Sequence, residues 1–481
     1  MGHQSSSDVH PREIMAVLIT ACVSFSLAQT VVVPALPAIA ADVGASTSAT
    51  SWLLTGFLLS ASVATPIVGK LGDLHGRGRV LAMVLLVFAV GGVVNAFADS
   101  LGVLVAGRVL QGVGGGVFPL AFGIVRDTFP REKVPGALGI VSAVFGIGGG
   151  IGLPLSGVIL DHGDVSLIFW VNLVALPAAV AAWRVVPRTT TTGSARIDWL
   201  GAGLLSVALA SILLGVSQSG RWGWGSGRTL GSIAAGLVVL VVWVLVESRV
   251  REPLIAMSVL RRPVVAATNL AGLLIGGSMF ASFLSIPQFA QAPESTGYGF
   301  GASVTVAGLM LVPIAAAQLM TGAVVGRLER RLGSRLVLAA GTGLAAAAFA
   351  GMALAHAAPW HFIVFGALFG VGLTLSLASM ANLVVSAVDP HEIGVASGIN
   401  TVTRTVGGSF GAAVAAAILS THTIAGTPVP TEGAYTATFA FSAFAGLLAL
   451  AATLAIPRPD SPRAQRTDAS PVGEVGEPAA V

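Results

Sequence analysis

Residues 69–79 read GKLGDLHGRGR and join the end of one long apolar run to the start of the next. This stretch is densely charged, although only 10% of the chain is charged and 54% of it is hydrophobic. Basic residues between apolar runs mark the cytoplasmic side of a membrane protein. That rule accounts for Lys70, Arg77 and Arg79. It does not account for Asp73, an acid that weakens the basic bias, so the stretch indicates a functional loop as well as a topological anchor.

Apolar runs recur along the whole chain. A membrane-spanning helix needs about 20 mostly apolar residues, and the 481 residues contain fourteen such runs. The sequence therefore predicts an all-α integral membrane protein with 14 transmembrane helices. The predicted spans begin near Ile14, Trp52, Val80, Leu101, Gly136, Leu167, Trp199, Thr229, Val264, Val306, Leu336, Phe362, Val395 and Thr436.

Lysine and arginine are distributed unequally between the predicted loops. Of 25 basic residues, 21 lie on the side of the two termini, two lie in loops on the other side, and two lie within spans. Because an excess of basic residues marks the cytoplasmic side, both termini are predicted to be cytoplasmic. Only Lys70 and Lys133 are lysine. This arginine bias is typical of GC-rich bacterial genomes and favours a multi-pass protein of the bacterial cell (inner) membrane.

Two stretches of the chain are repeated in the same order. GRLERRLGSR at 326–335 echoes residues 69–79, and PHEIGVASGINTVTRTVGGSFG at 390–411 echoes PREKVPGALGIVSAVFGIGGGIG at 130–152. Parallel half-repeats are a transporter architecture with the substrate site between the halves. The predicted domains are a cytoplasmic N-terminus (1–13), a six-helix bundle (14–183), a linker with two extra spans (184–263), a second six-helix bundle (264–456) and a disordered cytoplasmic tail (457–481).

Three motifs, in this order, resemble those of the major facilitator superfamily. The loop between the second and third spans resembles the family's inner-gate signature. LVAGRVLQGVGGG at 104–116 resembles its fourth-helix signature, and GIGGGIGLPLSG at 146–157 resembles its fifth-helix antiporter signature. The matching residues are Gly69, Asp73, Gly76, Arg77 and Arg79 in the loop, Arg108, Gln111 and Gly112 in the fourth span, and Gly149, Pro154 and Gly157 in the fifth.

Fourteen spans with an extra central pair resemble the drug:proton antiporter group of this family, which includes antibiotic-resistance exporters of actinobacteria. The resemblance implies efflux of a small amphipathic molecule in exchange for protons across the lipid bilayer. It also implies that Asp73 acts as an inner latch that engages a helix N-terminus or an arginine of the other half. The expected partners are the start of the thirteenth span near Val395, and Arg126.

The acids depart from the group's pattern. Ala28 stands where the first helix of the group carries a carboxylate, and no Asp or Glu lies in the middle of any predicted span. A buried carboxylate is the usual exchanger of protons for substrate, because burial raises its pKa toward neutrality. Asp42 and Asp161, near outer span ends, and Asp73 at the inner face are the remaining candidates for proton coupling.

Two arginines lie at membrane depth and must face protein or water, because a central Arg costs about 2.5–3.5 kcal/mol even on insertion scales. Arg108 is predicted either to brace the first and fourth helices or to face the substrate, and Arg404 either to support packing or to face the substrate. The family packs the first and fourth helices and their second-half counterparts around the cavity. The further cavity candidates are therefore Gln29, Gln111, Gln288 and Asn382.

Other classes of function find little support in the sequence. The small net charge of +4 and the scattered basic residues give no nucleic-acid patch. The chain has no Walker spacing, metal-ligand cluster or catalytic triad, so neither an enzyme nor a cofactor is predicted. Two alternatives to antiport stay open. One is a facilitator or exchanger of neutral or anionic solutes held by Arg108 and Arg404, and the other is a membrane sensor or scaffold that does not transport.

Overall fold

The structure is a computed structural model, which describes residues 11–45, 47–50, 52–187, 198–250, 253, 255, 257–425, 427 and 429–456. The predicted tail at 457–481 lies outside the described residues, as does most of the predicted N-terminal segment. The first helix already begins at Pro11, three residues before the predicted start of the span.

Within the described ranges, fourteen helices are long and apolar enough to cross a membrane, so the predicted helix number and all-α fold are confirmed. Every predicted start lies within four residues of an observed one. The helices are α1 Pro11–Thr30, α2 Trp52–His75, α3 Arg77–Ala96, α4 Leu101–Thr128, α5 Val134–His162, α6 Leu167–Val185, α7 Trp199–Trp222, α8 Gly227–Glu247, α9 Pro263–Gln291, α10 Thr305–Leu332, α11 Ser334–Leu354, α12 Pro359–Ala387, α13 Ile393–Thr421 and α14 Glu432–Leu454.

Local sequence sets where several of these helices begin. The side chains of Asp198, Ser226 and Thr431 each accept a hydrogen bond from the backbone N–H of the third residue of the following helix. Such caps satisfy N–H groups that lack a partner within the helix. Gly76 separates α2 from α3 with a φ of 92°, a conformation that strongly favours glycine.

Three spans are interrupted. α4 tightens into a 3₁₀ turn at Val113–Gly116, and α6 does so at Val171–Val174. α10 has a turn at Met310 and Leu311. In α4 the 3₁₀ turn coincides with the glycine run of the fourth-helix motif, where the missing side chains let α2 approach closely.

Helices α1–α6 and α9–α14 meet along two long contacts, α5 against α10 and α2 against α13. The extra helices α7 and α8 pack on each other, and α7 also lies against α2 and α13. We call the face of the bundle at which α1 begins and α14 ends the terminal face, and the other the opposite face. The division into two six-helix halves at the stated boundaries stays a prediction.

The repeated glycines occupy equivalent positions. Gly148 of α5 packs on the α1 backbone, and Gly407 of α13 packs on the α9 backbone. Toward the terminal face, Gly139 of α5 meets α10, whereas Gly398 of α13 meets α2. Each of these two helices therefore packs on the first helix of its own half and on the second helix of the other half.

Candidate functional site

Asp73, in the last turn of α2, is held against the start of α13. Its side chain is 2% exposed. Its carboxylate accepts hydrogen bonds from the backbone N–H groups of Gly394 (3.2 Å) and Val395 (3.3 Å), which are the second and third residues of α13. A helix N-terminus offers free N–H groups and a positive dipole end, so it suits a carboxylate. The contact joins the two halves at the terminal face, where the sequence predicted a partner for Asp73.

Arg77 lies at the centre of this contact. Its guanidinium donates to Asp73 (2.7 Å), to Asp127 of α4 (2.5 Å) and to the backbone carbonyl of Pro390, just before α13 (2.6 Å). Only 5% of Arg77 is exposed. The two carboxylates and one guanidinium carry a net negative charge, which the α13 N-terminus offsets. We call Asp73, Arg77, Asp127 and the start of α13 the latch.

The structure corrects one predicted partner of Asp73 and places one motif residue outside the latch. Arg126 does not pair with Asp73. It donates instead to the carbonyls of Val385 and Val388 at the end of α12 (3.2 Å to Val388), where helix carbonyls lack partners. Arg79 is exposed and outside the latch.

A second contact between the halves also lies at the terminal face, between the end of α10 and the start of α5. Arg330, at the end of α10, donates to the carbonyl of Glu132, which precedes α5 (3.3 Å). Gly69 on α2 and Gly326 on α10 each pack directly on the backbone of a facing helix, at Gly394 and Gly136 respectively. The terminal ends of the two halves are therefore held together around the latch.

The second-half echo contains a buried acid, Glu329. Glu329 is 5% exposed and lies three residues after Gly326, much as Asp73 lies four residues after Gly69. Its carboxylate accepts from Asn382 of α12 (3.2 Å), which also donates to Ser334 (2.7 Å). The amide of Asn382, a predicted cavity residue, is engaged near the end of α12 at the terminal face, and its place in the substrate cavity stays a prediction.

Arg108 braces three helices. It is fully buried and donates to the carbonyls of Leu53 (3.2 Å) and Ala28 (3.0 Å) and to the side chain of Gln111 (2.9 Å). Its guanidinium also lies 4.1 Å from the ring centre of Phe57. Ala28, in the position expected to be acidic, contributes its backbone carbonyl to Arg108.

The remaining motif glycines serve close packing. Gly112 of α4 lies against Ser60 and the Phe57 carbonyl of α2. In α5, Pro154 faces Gly308 of α10, and a Cβ on Gly157 would lie 2.9 Å from the Thr305 hydroxyl. The backbone of Gly149 belongs to α5, but its contacts lie outside the described part of the chain.

Three cavity candidates do not form one group. Arg404 lies 11 residues from the start of α13 and Gln288 lies 25 residues from the start of α9, which places them about 17 Å and 38 Å from the terminal face. Gln288 is exposed, and Gln29 is half-buried on α1. Arg404 is 5% exposed and lies over the ring of Phe145 of α5, 4.7 Å from its centre. Sequence reasoning did not single out the fully buried Gln318 of α10, whose amide packs on Gly146, the residue after Phe145.

The family model for the major facilitator superfamily matches residues 18–412 and, in a second match, residues 268–477. The chain belongs to the major facilitator superfamily. The members of this family are multi-pass membrane transporters and not enzymes, and the fourteen membrane-length helices of the described residues agree with that membership. The two matches overlap, and together they include parts of both halves of this chain. This agrees with the internal repetition of the sequence.

Several relatives of this chain carry the names of exporters. It is 31% identical to the cephamycin export protein CmcT of Amycolatopsis lactamdurans, over 94% of this chain and 93% of that one. It is 31% identical to the tetracenomycin C resistance and export protein of Streptomyces glaucescens (82% and 74% covered), and 28% identical to the multidrug transporter protein MdtP of Bacillus subtilis (84% and 74%). The chain spans 60% of the length of an uncharacterized MFS-type transporter of Mycobacterium tuberculosis, to which it is 30% identical.

Solved structures support the same fold. The crystal structure of the human organic anion transporter MFSD10 superposes with a TM-score of 0.67 at 17% identity, covering 92% of this chain and all of that one. An autoinhibited POT family peptide transporter gives a TM-score of 0.60 at 19% identity, with 92% and 96% covered.

Proposed function

We propose that this protein exports a small amphipathic compound by alternating access, with α1–α6 rocking against α9–α14. The latch is the observation that carries the proposal. It joins the two halves at one face only, and every bond across it is a hydrogen bond or ion pair that can break when that face opens. The kinship to named drug and antibiotic exporters supports outward transport.

We further propose that the terminal face is cytoplasmic and that export is driven by protons. The excess of basic residues on this side supports the orientation. Among the described spans, Asp73 is the buried carboxylate that contacts the opposite half directly. Protonation would remove its charge and weaken its hold on the α13 N-terminus. A proton bound at Asp73 would thus favour the state in which the cytoplasmic face is open.

The isolated Arg404 favours a second candidate function, exchange or facilitated movement of anionic solutes without protons. A sensor or scaffold that does not transport would need no latch that separates, so we rank it third. Transport assays in inverted membrane vesicles distinguish the three. Proton-coupled export predicts uptake of dyes or antibiotics under an imposed pH gradient, and loss of uptake when an uncoupler collapses the gradient. Uptake that survives the uncoupler would overturn antiport, and absence of uptake for a broad panel would favour the scaffold.

The latch itself is tested by exchanging its two acids separately. Asp73→Asn removes the carboxylate that bonds to α13, and we expect it to abolish export while leaving membrane insertion intact. Asp127→Asn is the matched control, because Asp127 pairs with the same arginine but has no bond to α13. We expect this variant to keep most of the export rate. Normal export by Asp73→Asn would mean that the loop acts only as a topological anchor.

A further inference from the structure

Arg404 is a buried cation whose hydrogen-bonding groups are unused. It is the twelfth residue of α13, about 17 Å from the terminal face along the helix. With the described residues its guanidinium forms no hydrogen bond and no ion pair, and it lies over the ring of Phe145. An arginine has five N–H donors, and Arg108 spends three hydrogen bonds on helix bracing. The hydrogen bonds of Arg108 therefore serve helix packing, whereas the N–H donors of Arg404 are available to a ligand.

Two further unpartnered polar groups lie on, or against, the segment of α5 that contains Phe145. Gln318 of α10 is fully buried, and neither atom of its amide has a partner among the described residues. Its amide packs directly on Gly146, which leaves no room for a side chain there. Ser142, 2% exposed, has an unpartnered hydroxyl and lies three and four residues before Phe145 and Gly146 on α5, which places it on the same helix face.

Buried polar groups in native proteins nearly always have hydrogen-bond partners. Here a cation, an amide and a hydroxyl without partners come from three helices, α13, α10 and α5, which lie on both sides of the contact between the halves. Their combined preference is for an acceptor with negative charge, because the guanidinium, the amide and the hydroxyl can all donate to it. No carboxylate of the described spans pairs with Arg404.

An aromatic wall leads away from this polar group. Phe145 contacts Phe118 (ring centres 5.1 Å apart), Phe118 contacts Phe25 (6.3 Å), and Phe25 stacks on Phe57 (5.6 Å), the ring beneath Arg108. Aromatic rings pack favourably on other rings and flat apolar bodies. Phe145, at 9% the most exposed of these rings, is the one that an aromatic part of a ligand bound at Arg404 would contact.

We propose that Arg404, with Gln318 and Ser142, binds a negatively charged group of the transported compound. The substrates of this protein are then amphipathic organic anions such as aromatic carboxylates. The proposal rests on the proposed transport function, which it deepens by naming the substrate class. Because Arg404 belongs to one half and Ser142 and Phe145 to the other, a bound anion bridges groups that separate when the halves move.

A binding experiment tests this without requiring transport. The probes are dansyl-phenylalanine and its methyl ester, which differ in one negative charge, and binding to the purified full-length protein in detergent is followed by dansyl fluorescence. We expect the carboxylate to bind at least about tenfold more tightly than the ester, because pairing with a desolvated arginine is worth at least that factor. Equal affinities, tighter binding of the ester, or no binding of either probe would overturn the proposal.

Substitutions then assign the preference to this site. Arg404→Gln is expected to bring the carboxylate and ester affinities within about twofold of each other, whereas Arg404→Lys keeps the charge and should keep the preference. A preference that persists in Arg404→Gln would place the anion elsewhere. If vesicles transported no compound but the purified protein still bound the carboxylate more tightly than the ester, only the transport function would be overturned. The two failures are therefore distinguishable. If Arg404→Gln does not fold, equal affinities of the unmodified protein for the carboxylate and the ester would still overturn the proposal.

Discussion

Asp73 and Arg404 are both buried charged side chains, but they differ in the groups that surround the charge. Burial of an ion costs several kcal/mol, and a protein offsets that cost with pairing and hydrogen bonds. Asp73 has a guanidinium and two backbone N–H groups within hydrogen-bonding distance. Arg404 has an aromatic ring and no carboxylate. Asp73 is therefore satisfied within the protein, whereas the charge of Arg404 is best satisfied from outside.

The closeness of α2 and α13 at Gly69 leads to a prediction at the residue scale. A Cβ on Gly69 would overlap the backbone carbonyl of Gly394, so Gly69→Ala should push the helices apart and weaken the latch. Overpacking costs about 1–3 kcal/mol, enough to shift a two-state equilibrium roughly 5- to 150-fold toward the open terminal face. The measurement is the maleimide labelling rate of Ser397→Cys, a buried α13 position, in a Cys22→Ala background. The rate should rise in Gly69→Ala.

The matched control for this substitution is Gly102→Ala. It also adds one methyl group to a helical glycine, but nothing lies within 4 Å of the added atom. Labelling of Ser397→Cys should be unchanged by it. If both alanine variants gave the same labelling rate, close approach at Gly69 would not hold the terminal face shut.

At the scale of elements, α4 is held by its arginine and by its glycines. Arg108 ties α4 to α1 through Ala28 and to α2 through Leu53, while the small residues at Gly112 and in the 3₁₀ turn let α2 pack on the α4 backbone. Lipid gives no hydrophobic drive for helix association, so such packing and hydrogen bonds must supply it. The fourth-helix motif thus works here as a packing device.

This role predicts that Arg108→Lys destabilises the protein. A lysine keeps the charge but loses the planar fork that reaches two carbonyls and an amide at once, so we expect a loss of about 2–3 kcal/mol of stability. The thermal midpoint in detergent, followed by fluorescence-detected size exclusion, is the readout. Arg404→Lys is the control and should lose no more than about 1 kcal/mol, because Arg404 has no hydrogen bond to lose. Equal midpoints for the two variants would contradict the bracing role.

At the scale of the whole molecule, the contact between α5 and α10 runs from the terminal face to the opposite face. Gly139 meets Val325 near one end, and Gly157 meets Thr305 near the other. Small residues at these crossings allow the two helices to touch over their length, and Pro154 lacks one backbone hydrogen bond of α5, which lets that helix bend. Alternating access requires each end of this contact to separate in turn.

Paired cysteines test this requirement. In a Cys22→Ala background, the pairs Gly139→Cys with Val325→Cys and Gly157→Cys with Thr305→Cys place Cβ atoms 3.5 Å and 3.7 Å apart, within the range of about 3.5–4.5 Å that a disulfide needs. We expect oxidation to form each disulfide and to stop export in vesicles, and reduction to restore it. The four single-cysteine variants serve as controls. Full export with either disulfide complete would contradict separation at that end.

The sequence by itself determined the fourteen spans, because only long apolar runs can remain in a bilayer, and it identified the motifs of the latch and of α4. It did not determine which polar groups meet. In a membrane both the lipid-facing and the protein-facing sides of a helix are apolar, so the periodicity that separates core from surface in a soluble helix is missing. The hydrogen bond between Asn382 and Glu329 near the end of α12 could therefore not be predicted from the sequence. Only the tertiary structure placed Arg404 of α13 over the ring of Phe145, and Gln318 of α10 against the neighbouring Gly146, because residues so distant in sequence become neighbours only when the chain folds.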